Sequence, residues 1–292
     1  MIERLCIIGV GLIGGSFARA LRQAGLVKYI IGYGRNKANL KTALDLGIID
    51  EYSQDIKKAV KGADLIFIAT PVGSFKAILT ELKDIIKPDT IITDAGSTKV
   101  SVIDAAKSVF SEVPPNFVPG HPIAGTENSG AEASFATLYQ DHRVILTPLK
   151  ETSPEALKIV TQCWQAAGAN VIQMDAQHHD LVLAATSHLP HLLAFSLVNT
   201  LTTLDEKQEI FANAAGGFKD FTRIASSDPS MWQDICLANK EALLQHLDHF
   251  SADLQQLRTA LQESDGDYLH TVFKRAKQSR DELVLKNNCY WQ

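Results

Sequence analysis

The pattern of hydrophobic and polar positions divides the chain into two parts near residue 173. From Arg4 to about Gln173, short β-branched apolar runs alternate with amphipathic stretches, which predicts a parallel sheet covered by helices. The predicted strands are Leu5–Ile8, Tyr29–Gly32, Leu65–Ala69, Thr90–Thr93, Phe117–Val118, Val144–Leu146 and Val171–Ile172. We therefore expect an α/β domain over residues 1–173.

Strand patterns end there, and residues 174–292 are predicted to form an all-helical domain. The segment Leu181–Leu204 is typical of one long apolar helix, interrupted only at Pro190. Further on, apolar residues recur at spacings of three and four along one helical face: Leu243, Leu247, Phe250, Leu254, Leu257 and Leu261. This leucine stripe fits either an ordinary core within the chain or helix pairing between two chains. We predict a homodimer built mainly by this domain.

Composition and charge exclude several classes of protein. Hydrophobic residues make up 46% and charged residues 21% of the chain, as in folded globular domains rather than disordered ones. A net charge of −5 provides no cationic field for nucleic acid, so we expect no such partner. The cysteines are far apart and without CxxC spacing, which indicates reduced thiols: Cys6, Cys163, Cys236 and Cys289. No basic leader and no apolar run of membrane-spanning length is evident, so we expect a cytoplasmic protein without a membrane partner.

The first predicted strand runs directly into a glycine-rich turn followed by a helical pattern. Gly9 permits the tight turn, Gly11 lets the backbone approach a pyrophosphate, and Gly14 allows close packing of helix and strand. The helix begins near Leu12 and Ile13, so its N-terminus faces the anion. A glycine-rich turn in an α/β fold without a ligand is the alternative. The agreement of strand, spacing and helix favours a Rossmann-type dinucleotide site.

The end of the second predicted strand bears on the choice of nucleotide. NAD sites usually carry an acidic residue about 20 residues beyond the glycine motif, and here that region holds Gly34, Arg35 and Lys37 instead. Gly34 leaves room for a 2′-phosphate and Arg35 can neutralise it, so we predict NADP as the preferred cofactor, with NAD possible. Alternatively, the two basic residues are only the exposed start of a helix. Thr70 and Pro71, beyond the third predicted strand, complete the predicted nucleotide site.

Four further segments carry candidate chemistry. They are Asp94–Lys99, Gly120–Glu127, Ser187–His191 and Gly217–Trp232. The first two follow strand ends, where open α/β sheets bind their ligands. Together, and in this order after the glycine motif, the segments resemble those of prephenate and arogenate dehydrogenases over nearly the whole chain.

The resemblance implies an oxidative decarboxylation in tyrosine biosynthesis: prephenate loses a hydride to NAD(P)+, a hydroxyl proton and CO2, and 4-hydroxyphenylpyruvate forms. It implies that His121 accepts the hydroxyl proton and that Ser97 orients it, which makes these two the expected catalytic residues. It also implies a substrate pocket in which Arg223 holds a carboxylate. The expected substrate-binding residues are Arg223, His191, His188, Thr126 and Trp232.

The residues themselves leave other interpretations open. His121 stands between glycine and proline and fits a structural turn as well, and Trp232 fits a hydrophobic core. His188 and His191 share one helical face, so they fit a core pair or part of a metal site. No third ligand stands at a useful spacing, and we expect no metal. Arg223 has aspartates nearby and could form a local ion pair instead.

Three alternatives to prephenate oxidation remain at this point. Arogenate dehydrogenase, which makes tyrosine directly, differs from prephenate dehydrogenase by a few pocket contacts. A β-hydroxyacid dehydrogenase-like reductase would share the architecture, but such enzymes typically use a lysine base in the second domain, where this chain offers histidines. A dinucleotide sensor without catalysis would have no use for Ser97, His121 and Arg223 together.

Overall fold

The structure of the chain is a computed structural model, which describes residues 1–126 and 128–284. Glu127 and Cys289, both named in the sequence analysis, lie outside these residues. The chain forms two compact units, Met1–Asn239 and a second unit that begins at Lys240. All candidate site residues belong to the first unit.

The first unit is built on a six-stranded sheet in which every neighbouring pair of strands is parallel. Its strands are β1 (Ile2–Ile8), β2 (Val27–Tyr33), β3 (Glu51–Ser53), β4 (Leu65–Ile68), β5 (Ile91–Asp94) and β6 (Phe117–Val118). Their order is β3-β2-β1-β4-β5-β6, so the direction of winding reverses between β1 and β4. In such sheets the ligand binds beyond the carboxyl ends of the strands at that reversal. The predicted α/β fold is confirmed, and the short, polar strand β3 was not anticipated.

A second sheet of three strands lies after β6. Its members are β7 (Gly120–Pro122), β8 (Arg143–Leu146) and β9 (Asn170–Gln173). The pair β7 and β8 is antiparallel, whereas β8 and β9 are parallel. The expectation of one continuous parallel sheet was therefore wrong for β8 and β9. Only Pro119 separates β6 from β7, and a parallel return to the first sheet needs a crossover of a dozen residues or more.

Helices cover both faces of the first sheet. They are α1 (Leu12–Gln23), α2 (Lys37–Asp45), α3 (Ile56–Val60), α4 (Phe75–Leu82), α5 (Val100–Phe110) and α6 (Pro154–Ala166). On one face the rings of Phe17 in α1, Phe67 in β4 and Trp164 in α6 pack together, with centroids 4.4 to 5.6 Å apart. Phe75 and Leu79 of α4 are buried in the core on the other face. Burial on both faces explains why these strands are almost continuously apolar.

The described residues after β9 contain helices and no strands, as predicted. The first unit continues with α7 (Ala176–Leu183), α8 (Leu189–Thr202), α9 (Lys207–Ala212), α10 (Gly216–Thr222) and α11 (Pro229–Ala238). A π-helical turn at Ala184–His188 joins α7 to α8, so the predicted single helix is interrupted before Pro190 rather than at it. Proline stands in the first turn of α8, where its missing N–H costs nothing.

The prediction that no apolar run reaches membrane-spanning length was wrong for the stretch Ala176–Thr202. It is helical over 27 residues with a mean hydropathy of 1.6, which is long and apolar enough by length and composition to cross a membrane. Core helices of soluble proteins satisfy the same test. Here only 22% of the apolar window is buried within the chain, so most of this apolar stretch is not covered by the rest of the single chain.

The second unit consists of two helices followed by a π-helical turn. They are α12 (Lys240–Glu263) and α13 (Gly266–Ser279). The hydroxyl of Tyr268 in α13 donates to the Gln256 side chain of α12, at 2.6 Å. Within the leucine stripe on α12, Leu254 is 49% exposed and Leu261 is 66% exposed. The stripe therefore does not form an ordinary core along its whole length.

Candidate active site

The glycine motif forms a tight cradle between β1 and α1. Gly9 has φ +97°, a conformation that favours glycine, and a Cβ there would lie 2.5 Å from the Ala69 carbonyl oxygen. A Cβ at Gly14 would lie 2.1 Å from the Gly9 carbonyl oxygen, so the helix can approach the turn only without a side chain. Gly11, directly before α1, faces open space. The cradle therefore fits a pyrophosphate, which would meet the free N–H groups of Leu12 and Ile13 at the helix N-terminus.

The end of β2 leaves space where many NAD sites hold a carboxylate. A Cβ on Gly34 would lie 3.5 Å from Leu40, an ordinary van der Waals distance. The Arg35 carbonyl accepts a hydrogen bond from the Gln54 amide at 2.8 Å, which fixes the backbone there. At the end of β4, the Thr70 hydroxyl accepts a hydrogen bond from Ser74 at 2.8 Å. Thr70 and Pro71 thus follow the strand next to β1, at the same edge of the sheet as Gly9.

A buried ion pair joins the end of β5 to β7. The Lys99 ammonium group donates to the Asp94 carboxylate and to the Gly120 carbonyl, and both charged side chains are fully buried. Asp94 also accepts from the backbone N–H groups of Gly96 at 2.7 Å and Gly120 at 3.0 Å. Burial raises the pKa of Asp94 and lowers that of Lys99. Through Gly120, this pair fixes the strand position of His121.

His121 lies on β7 at the start of a chain of three side chains. Its Nδ1 is 2.9 Å from Nε2 of His179, and Nδ1 of His179 is 2.8 Å from the Asp180 carboxylate. His179 and Asp180 belong to α7 and are buried. Burial, together with the neighbouring His179, Lys99 and His188, holds the pKa of His121 well below its usual value. The imidazole is therefore neutral at neutral pH and can accept a proton.

His188, at the end of the π-helical turn, is also a buried neutral imidazole. The Asn239 amide donates to the Asp180 carbonyl at 2.7 Å and to Nδ1 of His188 at 3.0 Å. Burial lowers the pKa of His188 to about 4. Because its Nδ1 accepts, the proton of the neutral ring lies on Nε2, and a hydrogen bond with the Ser97 backbone offsets part of the effect of burial on its pKa.

Three further candidate residues lie together on the helices after the sheet. The ring of His191 stacks on Trp232, with centroids 3.6 Å apart and planes 19° apart. Burial lowers the pKa of His191, and the nearby Arg223 charge lowers it further. The indole Nε1 of Trp232 is buried without an acceptor among the described residues. The His188 imidazole lies next to this indole, with the two ring centroids 6.1 Å apart.

Helix α11 is tied to the nucleotide-binding half. The Asp234 carboxylate accepts from the backbone N–H of Gly73, at 3.1 Å, in the turn after β4. Ser97 follows β5 and is half-buried. Burial lowers the pKa of His188, and a hydrogen bond with the Ser97 backbone acts in the opposite direction. Thr126 is exposed, and its hydroxyl accepts from the Asn128 N–H at 3.3 Å. The structure thus brings Ser97, His121 and the His188 region together and leaves Thr126 at the surface of the chain.

Sequence reasoning assigned no role to four buried polar residues of this region: Asp94 and Lys99, which lie in a segment it named, and His179 and Asp180, which it did not name. Their signal was present as adjacent polar residues inside otherwise apolar patterns. Burying a charged group is unfavourable unless the group is paired. Here the paired groups lie up to 81 residues apart in sequence, as in the hydrogen bond from the Lys99 N–H to Asp180. Among the described residues, no group of three His, Cys, Asp or Glu side chains is placed to hold a metal ion.

Residues 17–173 match the family model described as prephenate dehydrogenase, nucleotide-binding domain. Residues 175–275 match prephenate dehydrogenase, dimerization domain. The chain is 42% identical over 291 residues to a cyclohexadienyl dehydrogenase of Zymomonas mobilis, which covers 99% of this chain and 98% of the relative.

Two solved structures show the same architecture. A prephenate dehydrogenase from Aquifex aeolicus, in complex with hydroxyphenyl propionate and NAD+, superposes with a TM-score of 0.89 at 39% identity, over 97% of this chain and 99% of that one. The arogenate dehydrogenase of Synechocystis superposes with a TM-score of 0.79 at 28% identity, over 97% and 100% of the two chains.

Proposed function

This chain belongs to the prephenate dehydrogenase family, and from that premise we propose that it oxidises and decarboxylates prephenate to 4-hydroxyphenylpyruvate in tyrosine biosynthesis. One observation carries the proposal. A neutral, half-buried histidine, His121, lies on β7, which directly follows the carboxyl end of β6, and the nucleotide cradle of Gly9, Gly11 and Gly14 follows the carboxyl end of β1 in the same parallel sheet as β6. A proton acceptor beside a hydride acceptor is what removal of a hydride and a hydroxyl proton from one carbinol centre requires.

We assign the nucleotide to the cradle, which directly precedes the residues that match a nucleotide-binding domain; bound NAD(P)+ would take the hydride from C4 of the cyclohexadienyl ring. We propose NADP+ as the preferred form and NAD+ as an alternative. The support is local: Gly34 leaves space for a 2′-phosphate, Arg35 supplies a positive charge, and no acid stands at the end of β2.

His121 accepts the hydroxyl proton as the hydride leaves, and the C–C bond to the ring carboxylate then breaks to release CO2 and give the aromatic ring. We assign Ser97 to orient the hydroxyl, since it follows β5 and lies beside the His188 region. The low pKa of His121 keeps the acceptor unprotonated at neutral pH.

The substrate carboxylates are assigned to the helices. Arg223 would hold one carboxylate with its planar fork, next to the stacked rings of His191 and Trp232. The N–H of Trp232, which has no acceptor among the described residues, is a donor suited to a carboxylate oxygen, because buried donors are almost always paired. Thr126 is assigned to the rim of the pocket.

We further propose that residues 1–173 bind the dinucleotide and that residues 174–292 bind the substrate and form a cytoplasmic homodimer. The apolar helix Ala176–Thr202 and the exposed side chains of Leu254 and Leu261 support the dimer, since a second copy would cover them. The match of residues 175–275 to a dimerization domain agrees with this assignment.

The test is a set of four steady-state measurements with the purified chain: prephenate and arogenate, each with NADP+ and with NAD+. We expect the highest kcat/KM for prephenate with NADP+. A higher value for arogenate would identify the amino-bearing substrate as the natural one, and a higher value with NAD+ would overturn the cofactor preference. No turnover of either substrate with either nucleotide would refute the proposed function.

A further inference from the structure

The site holds a buried histidine and aspartate to which the proposed reaction assigns no role. His179 is fully buried and Asp180 is 4% exposed, both on helix α7. Burying an imidazole and a carboxylate costs free energy unless both are well paired. His179 contacts His121, so the arrangement of the pair bears on the state of the proton acceptor.

The hydrogen bond between His179 and Asp180 depends on whether Asp180 carries a proton. Burial alone would raise the pKa of Asp180, but hydrogen bonds from His179 and from the backbone N–H groups of Lys99 and Val100 outweigh it and hold this pKa below its usual value. Those N–H groups lie 2.7 and 2.9 Å from the two carboxylate oxygens, at the start of α5. An ionised carboxylate only accepts hydrogen bonds. Nδ1 of His179 therefore carries a proton and donates it to Asp180.

The direction of the hydrogen bond between His179 and His121 follows from the neutral charge of His179. Burial lowers the pKa of His179, so the ring carries one proton at neutral pH. With that proton on Nδ1, Nε2 of His179 presents a lone pair to Nδ1 of His121 at 2.9 Å. Nδ1 of His121 must then donate. The remaining nitrogen of His121, Nε2, is left without a proton.

We propose that His179, held by Asp180, is a positioning residue that fixes His121 in the tautomer whose Nε2 is free to accept the substrate's hydroxyl proton. The inference rests on the proposed function for its kinetic consequence, but the tautomer itself is a property of the protein alone. In the opposite tautomer, Nε2 of His121 carries a proton and cannot act as the acceptor. The charged or titratable groups that face His121 are His179, Lys99 and His188, with Asp180 and Asp94 behind them.

A purely structural role for the pair is the competing explanation. Asp180 already links α7 to α5 through its two backbone hydrogen bonds, and Asn239 links α7 to α11 through the Asp180 carbonyl. A structural role would affect stability, but it would not select a tautomer of His121. The test therefore needs a readout of the tautomer as well as of the rate.

The first measurement uses the full wild-type chain without ligands. The 15N chemical shifts of the His121 imidazole separate a protonated ring nitrogen from one that carries a lone pair, and the signals are assigned by their loss in His121→Asn. We expect a proton on Nδ1 and none on Nε2 at neutral pH. A proton on Nε2 of neutral His121 would overturn the proposal, whatever the enzyme does with prephenate.

The second measurement uses three variants. His179→Phe removes the acceptor, His179→Gln can keep an amide oxygen in reach of His121, and His178→Phe applies the same change to the exposed neighbouring histidine. We expect His179→Phe to lower kcat by roughly 10–100-fold with little change in KM, the scale on which an orienting hydrogen bond or a wrong tautomer acts. His179→Gln should restore most of that loss, and His178→Phe should match wild type.

The outcomes remain distinct from those of the proposed function. A folded His179→Phe chain that keeps wild-type kcat and the Nδ1-protonated tautomer would refute the positioning role. If His179→Phe does not fold, His179→Gln and the wild-type tautomer decide the matter. If wild type turns over neither prephenate nor arogenate, the proposed function fails, while the 15N measurement still determines whether His179 fixes the tautomer.

Discussion

Replacement of Lys99 by methionine removes the one charged partner of Asp94 while keeping a side chain of similar length. The Asp94 carboxylate would keep only the backbone N–H groups of Gly96 and Gly120, and it is fully buried. The Gly120 carbonyl would lose its donor as well, directly before His121. The change therefore perturbs both the stability of the first unit and the position of the proposed proton acceptor.

Removing one partner of a buried ion pair usually costs about 3–5 kcal/mol, because the other charge is left uncompensated. Full burial of both side chains puts Lys99→Met in that range rather than in the range of surface pairs. The pKa of Asp94 is already raised by burial, and it would rise further without Lys99. A carboxyl with a raised pKa in the folded state loses stability as pH rises, so the variant's deficit should shrink as the pH is lowered from 7 toward 5.

The assay is urea unfolding at one fixed protein concentration, at pH 7 and pH 5, followed by circular dichroism. Lys107→Met on the exposed face of α5 is the matched control and should stay within about 0.5 kcal/mol of wild type. Adding Asp94→Asn to Lys99→Met should recover part of the loss, since the uncompensated charge is then gone. A free energy of unfolding for Lys99→Met within about 1 kcal/mol of wild type would refute the reasoning, because loss of the cation from a buried ion pair should lower the stability by more than that.

Five further predictions concern the proposed chemistry and assembly. His121→Asn should lower kcat by roughly 10²–10⁴ with nearly unchanged nucleotide affinity, while the exposed His178→Asn keeps full activity. Because the pKa of His121 is lowered, kcat/KM of wild type should fall only below the ordinary histidine pKa of about 6.5, and a loss that begins above this value would contradict the assignment. Arg223→Ala should mainly raise KM for the substrate, with a loss of roughly 2–3 kcal/mol in kcat/KM; an unchanged KM would remove Arg223 from the pocket. Gly34→Asp fits sterically and should shift the ratio of kcat/KM values toward NAD+ by about 1–3 kcal/mol, whereas Lys37→Asp on the neighbouring helix start should shift it less. Sedimentation at micromolar concentration should show a dimer that loses stability on dilution, and a monomer throughout would exclude the assembly.

The sequence predicted what depends on local pattern. Strands such as Leu65–Ile68 are buried on both faces, so their apolar runs stand out, and the glycine motif has the strand and helix it needs on either side. The short strands Glu51–Ser53 and Gly120–Pro122 were not anticipated, because three residues with polar or glycine positions carry no periodicity. The antiparallel pairing of β7 follows from tertiary contacts that the local pattern does not encode.

The candidate site likewise contains residues that the sequence could predict and residues that it could not. His121 and Arg223 could be named in advance because they stand in motifs that resemble a known family. His179 and Asp180 are explained only by partners distant in the chain, such as the contact of His121 with His179 across 58 residues. The π-helical turn at Ala184–His188, which presents His188 to Asn239, likewise has no local signature beyond the proline that follows it.

The central claim is that one catalytic cycle removes both a hydride and a carboxylate from prephenate. Its most direct test is the product balance of the purified chain with prephenate and NADP+. The account predicts that reduced nucleotide, CO2 and 4-hydroxyphenylpyruvate form in equal amounts, and that all three are lost together in His121→Asn. Reduced nucleotide without an equal amount of CO2 would contradict it, because the enzyme would then be oxidising an alcohol without aromatising the ring.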